Sequence, residues 1–579
     1  MEQIEKLEQP WYKLWPEEIP KHLEYPEDFP IYKFLQEAAE LSPDNIATIF
    51  FDKKMNYGEF WDKVLRFANA LSKLGIKKGD RIGIYLPNCP QFAIAFFAIN
   101  RLGAVIVPFN TQYVDHELIY QLNDSGARTI ITIDITYNRV RKLRKKKLVE
   151  LDHVIVASLR DEMTFSKRWL GTLFFRVPLR RKIFPGDHSF KAMIEDGNPN
   201  EVPNVEINPK EDLALIQYTG GTTGVSKGAM LTHYNIVSNQ IQLSNIIFPP
   251  VNYGEECYVV ALPLFHIYAL NTCMLSAISQ ASRMILITDP LAGRPMLQDL
   301  LETLYKYKPT FFHGVPSLYV GLLYHPDIKD YDLTSIRACL SGAAPLPEAV
   351  MWNFEELTGA NVVEGYGLTE TSPVTHVNPF TEGGKRPGSI GFPIADTDAK
   401  IFDATDGDKE LPQGEEGEIG LKGPQVMKGY WKKPEETAHV FNSQGYFLTG
   451  DIGYIDQDGY FFITGRKKDM IDVSGLKVYP REVEEIIIEH PAVKEVAIIG
   501  APHMIRGEMV MAFVVLQDDE TASEEEIIEF CRGEIARYKI PRAVKFIDEL
   551  PKSAIGKVLH RELRDIVWKK AGKKRSIDG

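Results

Sequence analysis

Apolar residues recur at helical spacing through Phe60, Val64, Leu65, Phe67, Ala68 and Leu71 and stop at Gly75. The pattern predicts an amphipathic helix, and the run Arg81-Ile-Gly-Ile-Tyr-Leu86 after it reads as a strand. Helix and strand patterns keep alternating through the first two-thirds of the chain, which predicts an α/β fold of layered sheets. From Gly383 to Gly429 the rhythm changes to Gly-rich, hairpin-like sequence and predicts a more β-rich module. A second unit is expected beyond the strand Tyr460–Ile463 and the charged segment Gly465-Arg-Lys-Lys-Asp469. It would hold a helix around Val483–Ile488, strands around Val496–Ile499 and Met511–Leu516, and a helix opened by the capping box Ser523-x-x-Glu526. The expected division is therefore a large, multi-subdomain α/β part over residues 1–467 and a small, mobile α+β part over 468–579, with a hinge between them.

The 579 residues exceed what one core usually organises, in keeping with that division. A net charge of -13 argues against nucleic acid as a partner, because counterion release needs clustered positive charge. The five cysteines are widely spaced with no C-x-x-C pair, which fits neither a disulfide framework nor a zinc site and points to a reducing cytoplasm. The start of the chain lacks a signal-peptide pattern, and the apolar run Phe92–Ile99 ends at Asn100-Arg101, well short of the roughly 18 residues that span a bilayer. Residues 139–182 combine a basic run, Arg139 to Lys147, with Trp169, Leu170, Leu173, Phe174 and Phe175. Two readings stand for this stretch: peripheral contact with anionic lipid, or a solvated helix face beside a packed insertion.

The strongest local signal is Tyr218-Thr-Gly-Gly-Thr-Thr-Gly-Val-Ser-Lys-Gly228, between a strand-like segment and a helix-like one that starts after Thr232-His233. Glycines at 220, 221 and 224 free backbone N–H groups to face phosphate oxygens, Thr219, Thr222 and Thr223 add hydroxyl donors, and Lys227 adds charge. The loop is not G-x-x-x-x-G-K-[ST], so ordinary P-loop chemistry is not implied. Gly224-Val-Ser226-Lys-Gly228 also satisfies G-x-S-x-G, which raises a serine hydrolase as a rival.

Seven segments, in one order, resemble the adenylate-forming superfamily of acyl-CoA synthetases, firefly luciferase and peptide-synthetase adenylation domains. They are Thr219–Gly228, Ala261-Leu-Pro-Leu-Phe-His266, Ser341-Gly-Ala-Ala-Pro345, Glu364-Gly-Tyr-Gly-Leu-Thr-Glu370, Thr449-Gly-Asp451, Gly465–Asp469 and Pro551-Lys-Ser-Ala-Ile-Gly-Lys557. The similarity is greatest to prokaryotic medium- and long-chain fatty acid–CoA ligases. It implies ATP and coenzyme A as substrates and Mg²⁺ as cofactor. It also implies that Glu364, Gly365, Tyr366, Gly367, Gly342, Ala343 and Ala344 line the nucleotide site, with the Tyr366 ring on adenine. Thr369 would reach the α-phosphate, Glu370 would hold Mg²⁺, and Asp451 would take the ribose with Arg466 beside it. Lys557 would bridge the acid's carboxylate and the α-phosphate, while His266, Gly314, Val315 and Gly342 would border the acyl group. Rotation about Lys468 would then replace Lys557 by the face carrying Ser474, Gly475 and Lys477 for the coenzyme A step. Ser226 stands where the family usually has proline, a change expected to loosen the loop, and Gly391–Asp396 lacks the family's common Pro-Gly pair.

The expected reaction is AMP-forming activation of a fatty acid followed by transfer to coenzyme A, with an aryl acid such as a coumarate-like compound as runner-up. A non-catalytic adenylate or acyl sensor is the rival outside enzymology. Partners are expected to be these small molecules, with membrane contact through 139–182 and a homodimer left open.

Overall fold

The computed structural model describes residues 9–17, 19–164, 182–219, 226–246, 251–381, 383–473, 476–503, 507–532, 534–553 and 557–570. The amphipathic helix predicted from Phe60 to Leu71 spans Tyr57–Lys73. Its start is fixed by Asn56, whose side chain accepts from the Glu59 N–H while the Glu59 carboxylate accepts from the Asn56 N–H. Its apolar face packs against the helix Pro90–Arg101, in which every residue from Pro90 to Asn100 is buried. The apolar run at 92–99 is thus a core helix. The amide N–H groups of its two polar members find partners inside the fold, Gln91 donating to the Ser158 carbonyl and Asn100 to that of Phe96. Among the described residues no helix is long and apolar enough to cross a membrane.

A seven-stranded sheet forms the first layer, in the order His188–Ser189, His153–Ala157, Thr129–Ile133, Arg81–Tyr85, Val105–Pro108, Leu213–Tyr218 and Gly228–Thr232. All neighbours are parallel except the last pair. Two four-stranded sheets make the second layer, and Phe311 joins them by bridging Tyr258 on one side and Ala338 on the other. One continuous apolar core lies between these layers and includes the buried helix. The predicted β-rich module is an antiparallel sheet of Asp398–Phe402, Gly417–Lys422, Phe447–Ile455 and Phe461–Arg466.

Beyond it, strands from Ile471 to Phe546 build a fifth sheet with its own core around Val483, Ile498 and Val514. Helices Pro480–Ile487, Glu524–Phe530 and His560–Lys570 cover it, and Ser523 and Glu526 form the capping box expected from their spacing.

The basic run lies on the helix Asp134–Lys145 and the turn after it. Arg139 and Lys142 approach Asp115, Arg144 pairs with Asp187, and the Arg141 guanidinium lies 3.4 Å from the centre of the Phe184 ring. These contacts favour the packed-surface reading, while residues 165–181, which carry most of the aromatic half of that stretch, lie outside the described residues.

Filling of this core should dominate stability. Phe96→Ala, at a wholly buried position, is expected to cost about 3–5 kcal/mol in denaturant unfolding. Removing the cap with Asn56→Ala should cost only about 1 kcal/mol in the same measurement.

Candidate active site

The strand Asn361–Gly367 carries Glu364 to Gly367 into a seam where Ser341 faces Glu364 across parallel strands and Tyr366 faces His376 across antiparallel ones. Gly365 and Gly367 are glycine for steric reasons: a Cβ at 365 would press on the Leu340 side chain, and one at 367 would collide with the Pro373 carbonyl. At the strand's end the Tyr366 hydroxyl donates to the Asp451 carboxylate at 2.6 Å. Asp451, 3% exposed, also pairs with Arg466 at 3.0 Å, the two lying opposite each other on adjacent strands. The segment after Thr449 turns at Gly450 with φ of +74°, and Gly450 N–H donates to the buried carboxylate of Glu418.

Lys557 arrives at this cluster from the C-terminal unit. Its ammonium lies within the fields of Arg466, Lys468, Asp451 and Asp469, and its pKa is pushed down to about 7, first by the Arg466 charge and then by burial. Lys557 in turn helps depress His266, whose imidazole burial brings down to about 4. Nδ1 of His266 caps the short turn after it by accepting from the Tyr268 N–H at 3.3 Å. A neutral imidazole near the lysine thus accounts for both a structural and a site-lining role. Lys468, the expected hinge, is itself held down to about 8 by burial and by Arg466, and Asp469 next to it pairs with Arg564 at 3.1 Å.

Glu370 sits in the short turn Thr369–Thr371, where its carboxylate accepts from the Tyr430 hydroxyl at 2.8 Å and its carbonyl from the Met427 N–H. Burial raises its pKa above the usual carboxylate range, with the Tyr430 hydrogen bond and the Arg466 charge offsetting part of the rise. The Lys227 ammonium lies 5.2 Å from the centre of the Tyr430 ring and is ion-paired with Glu436. Tyr430 therefore links the Mg²⁺ candidate to the base of the phosphate loop. No sequence motif singled it out, because its role depends on a partner 60 residues away.

Between the antiparallel strands Leu213–Tyr218 and Gly228–Thr232, the phosphate loop closes a hairpin. The helix expected after Thr232-His233 spans His233–Ser244, and the strand Gly228–Thr232 lies between it and the loop. Thr219 N–H donates to the Lys227 carbonyl at 2.9 Å, and the Ser226 hydroxyl donates across the loop base to the Thr219 carbonyl. Ser226 therefore ties the base together, contrary to the expected loosening. A strand-to-strand hairpin with that hydroxyl spent on a carbonyl is not the strand-to-helix turn a serine nucleophile needs. Gly220, Gly221, Thr222, Thr223 and Gly224 lie outside the described residues.

Beyond the Ser341–Glu364 pair, the stretch Gly342-Ala343-Ala344 leaves the strand Ala338–Ser341 with Ala343 in the left-handed region at φ of +69°. Gly342 N–H donates to the Gly314 carbonyl, and a Cβ on either glycine would press into a tyrosine ring, Tyr268 for 342 and Tyr319 for 314. The Tyr268 hydroxyl bonds the carbonyls of Leu340 and Gly314 at 2.6 and 3.2 Å, fixing the two glycine segments side by side. Val315, buried, starts the helix Pro316–Leu323. Glu364, beneath this segment, is pushed up to about 7 by burial, with the charge of Arg481 from the C-terminal unit the largest offset. Lys477 is exposed on the hairpin of Ile471–Val473 and Leu476–Val478, so it is not gathered into the site with Lys557. Ser474 and Gly475 lie outside the described residues.

The arrangement offers buried positive charge, a buried carboxylate at the end of the Tyr366 strand, and a second carboxylate linked through Tyr430 to Lys227 at the base of the hairpin. No group of three or more His, Cys, Asp or Glu that could hold a metal is found among the described residues. A lone carboxylate suits Mg²⁺, which is commonly held by one or two protein carboxylates together with substrate phosphates and water.

The chain also matches known proteins in sequence and in fold. The sequence profile of the AMP-binding enzyme family matches residues 35–431, and that of the AMP-binding enzyme C-terminal domain matches residues 482–557. A long-chain-fatty-acid–CoA ligase of Bacillus subtilis is 41% identical over 96% of this chain and 98% of its own. One from Escherichia coli O6:H1 is 38% identical over the same shares. The crystal structure of the anthranilate CoA ligase AuaEII with anthranoyl-AMP superposes with a TM-score of 0.82 at 27% identity, over 94% of this chain and 99% of that one. The chain belongs to the AMP-binding enzyme family, the adenylate-forming enzymes whose ordered motifs it carries in both its large and its small unit.

Proposed function

We propose that this protein is an AMP-forming fatty acyl-CoA synthetase, converting a fatty acid, ATP and coenzyme A to acyl-CoA, AMP and pyrophosphate through an acyl-adenylate. The observation that carries the reading is Lys557 of the C-terminal unit lying among Arg466, Asp451 and His266 of the large one. The similarity to fatty-acid ligases along nearly the whole chain supplies the substrate class.

In the first half-reaction the acid's carboxylate oxygen attacks the α-phosphorus and pyrophosphate leaves. Two anions must be brought together, so the residues' task is positioning and charge neutralisation. Lys557 would lie between carboxylate and α-phosphate. Asp451, oriented by Tyr366 and Arg466, would accept from the ribose hydroxyls, with the Tyr366 ring against adenine and the Gly342–Ala344 backbone on the other side. Thr219, Lys227 and Thr369 would hold phosphate oxygens. Glu370, with Tyr430 as its second bond, would hold Mg²⁺, which supplies neutralisation of the phosphates. In the second half-reaction the thiol sulfur attacks the acyl carbonyl and AMP leaves with the C–O bond's electrons. We assign residues 1–467 and 468–579 to the two units and Lys468 to the hinge, with the Ser474–Lys477 face replacing Lys557.

The deciding assay is pyrophosphate and AMP release with acids from acetate to palmitate, plus cinnamate, with and without coenzyme A. Turnover of the fatty acids is expected. Turnover of cinnamate alone would replace the substrate class, and no pyrophosphate with any acid would leave a sensor in its place.

The half-reactions should separate by mutation. Lys557→Ala is expected to slow adenylation by about a hundred- to a thousandfold while thioester formation from supplied acyl-adenylate persists. Lys477→Ala should do the reverse, and equal loss of both halves in either variant would contradict the exchange of faces.

A lysine with a folded pKa of about 7 gives up its proton on docking, whereas an exposed lysine keeps it to about 10.4. Docking of free Lys557 therefore loses stability as pH falls from the exposed value toward 7, and no more is lost below that. Amine-reactive labelling of ligand-free protein, read by mass spectrometry, should give Lys557 a midpoint near 7, and ATP should raise it. A midpoint near that of exposed lysines without ligand would count against the docked arrangement.

A further inference from the structure

Two small cavities in the large unit share a wall. The inner one, about 10 Å³, is bordered by Leu243, Ile246, Thr272, His313, Leu340 and Phe380. The outer one, about 20 Å³, is bordered by Trp15, Ile19, Ile246, Val377, Phe392 and Ile394. Ile246, 6% exposed, is the residue common to both. Either space holds about one water molecule.

The inner cavity lies directly behind the glycine segments of the site. Leu340 and His313 stand one or two positions before Gly342 and Gly314, and the Thr272 hydroxyl bonds the carbonyl of Tyr268, whose own hydroxyl bridges Leu340 and Gly314. Polar groups on its wall are already engaged: Ser244 and Ser276 bond the Gln240 amide, and His313 accepts from the Leu340 N–H and is held neutral by burial. The wall thus demands no polar ligand. The outer cavity is roofed by the N-terminal segment, where the Trp15 indole donates to the Ile19 carbonyl at 2.6 Å. That segment is clipped down on Asp396, which pairs with His22 and accepts from the Leu23 N–H and the Tyr25 hydroxyl, each at 2.8 Å.

We infer that the two cavities are the collapsed near and far ends of one acyl channel, in which Ile246 is the partition that sets chain length and Trp15 with Ile19 forms the cap. A carboxylate beside Lys557 places its first methylenes at Gly314 and Gly342, and the tail then runs past Leu340 into the inner space. A short acid ends before Ile246. A long one must displace that side chain and enter the space under Trp15, so bulk at this position acts on the tail alone.

This inference rests on the fatty-acid reading, and its test keeps the two apart. The kcat/KM of full-length protein is measured for octanoate, dodecanoate, palmitate and stearate in the wild type, Ile246→Trp and Ile246→Ala, with thermal melts alongside. Ile246→Trp should lower palmitate and stearate by about tenfold or more and leave octanoate within about threefold. Ile246→Ala, which opens space and tests the idea even where the tryptophan variant fails to fold, should shift preference toward the longer acids. A uniform fall across all lengths, or an unchanged length profile in the alanine variant, overturns the channel while the functional reading stands. Wild-type protein that turns over cinnamate and no fatty acid overturns both.

Discussion

The Asp451 carboxylate, buried between the Tyr366 hydroxyl and the Arg466 guanidinium, is the charge on which the site depends. An isolated carboxylate at that depth would cost several kcal/mol. Paired on one side and hydrogen-bonded on the other, it keeps strands Phe447–Ile455 and Phe461–Arg466 in register with the end of Asn361–Gly367. It thereby joins the β-rich module to the second layer. It also offsets part of the repulsion Lys557 meets from Arg466 and Lys468.

That repulsion has a functional direction. Three cations near one another are unfavourable without anions, and the substrates of the proposed reaction bring phosphates and a carboxylate to the same place. Bound nucleotide would thus stabilise the docked arrangement, and loss of pyrophosphate would weaken it at the moment the second half-reaction needs another face. The exposed hairpin that carries Lys477 and the Lys467–Glu418 pair beside the hinge lie on elements flanking that change.

Steric constraint does the rest. Gly342, Gly365 and Gly367 each stand where a Cβ would strike a tyrosine ring, a leucine or a carbonyl, and Tyr268 staples two of the glycine segments with one hydroxyl. The floor on which acid and nucleotide would meet is therefore built from backbone, whose position side-chain rotation cannot blur.

Much of this was legible in the chain as written. The helix through Phe60 and Leu71 followed from its period, the shortness of the run 92–99 spoke against a membrane span, and the ordered motifs carried the family, because local spacing fixes which residues share a face and which turn needs glycine. Tertiary structure decided what distance along the chain hides. It showed that a strand follows the phosphate loop before any helix, that Ser226 secures its base, that Tyr430 supports Glu370, and that Ile246 stands between two cavities. Each of these depends on a contact or pairing made only when the sheets close on one another, and hydrophobic period records the face a residue turns inward without recording what it will meet there.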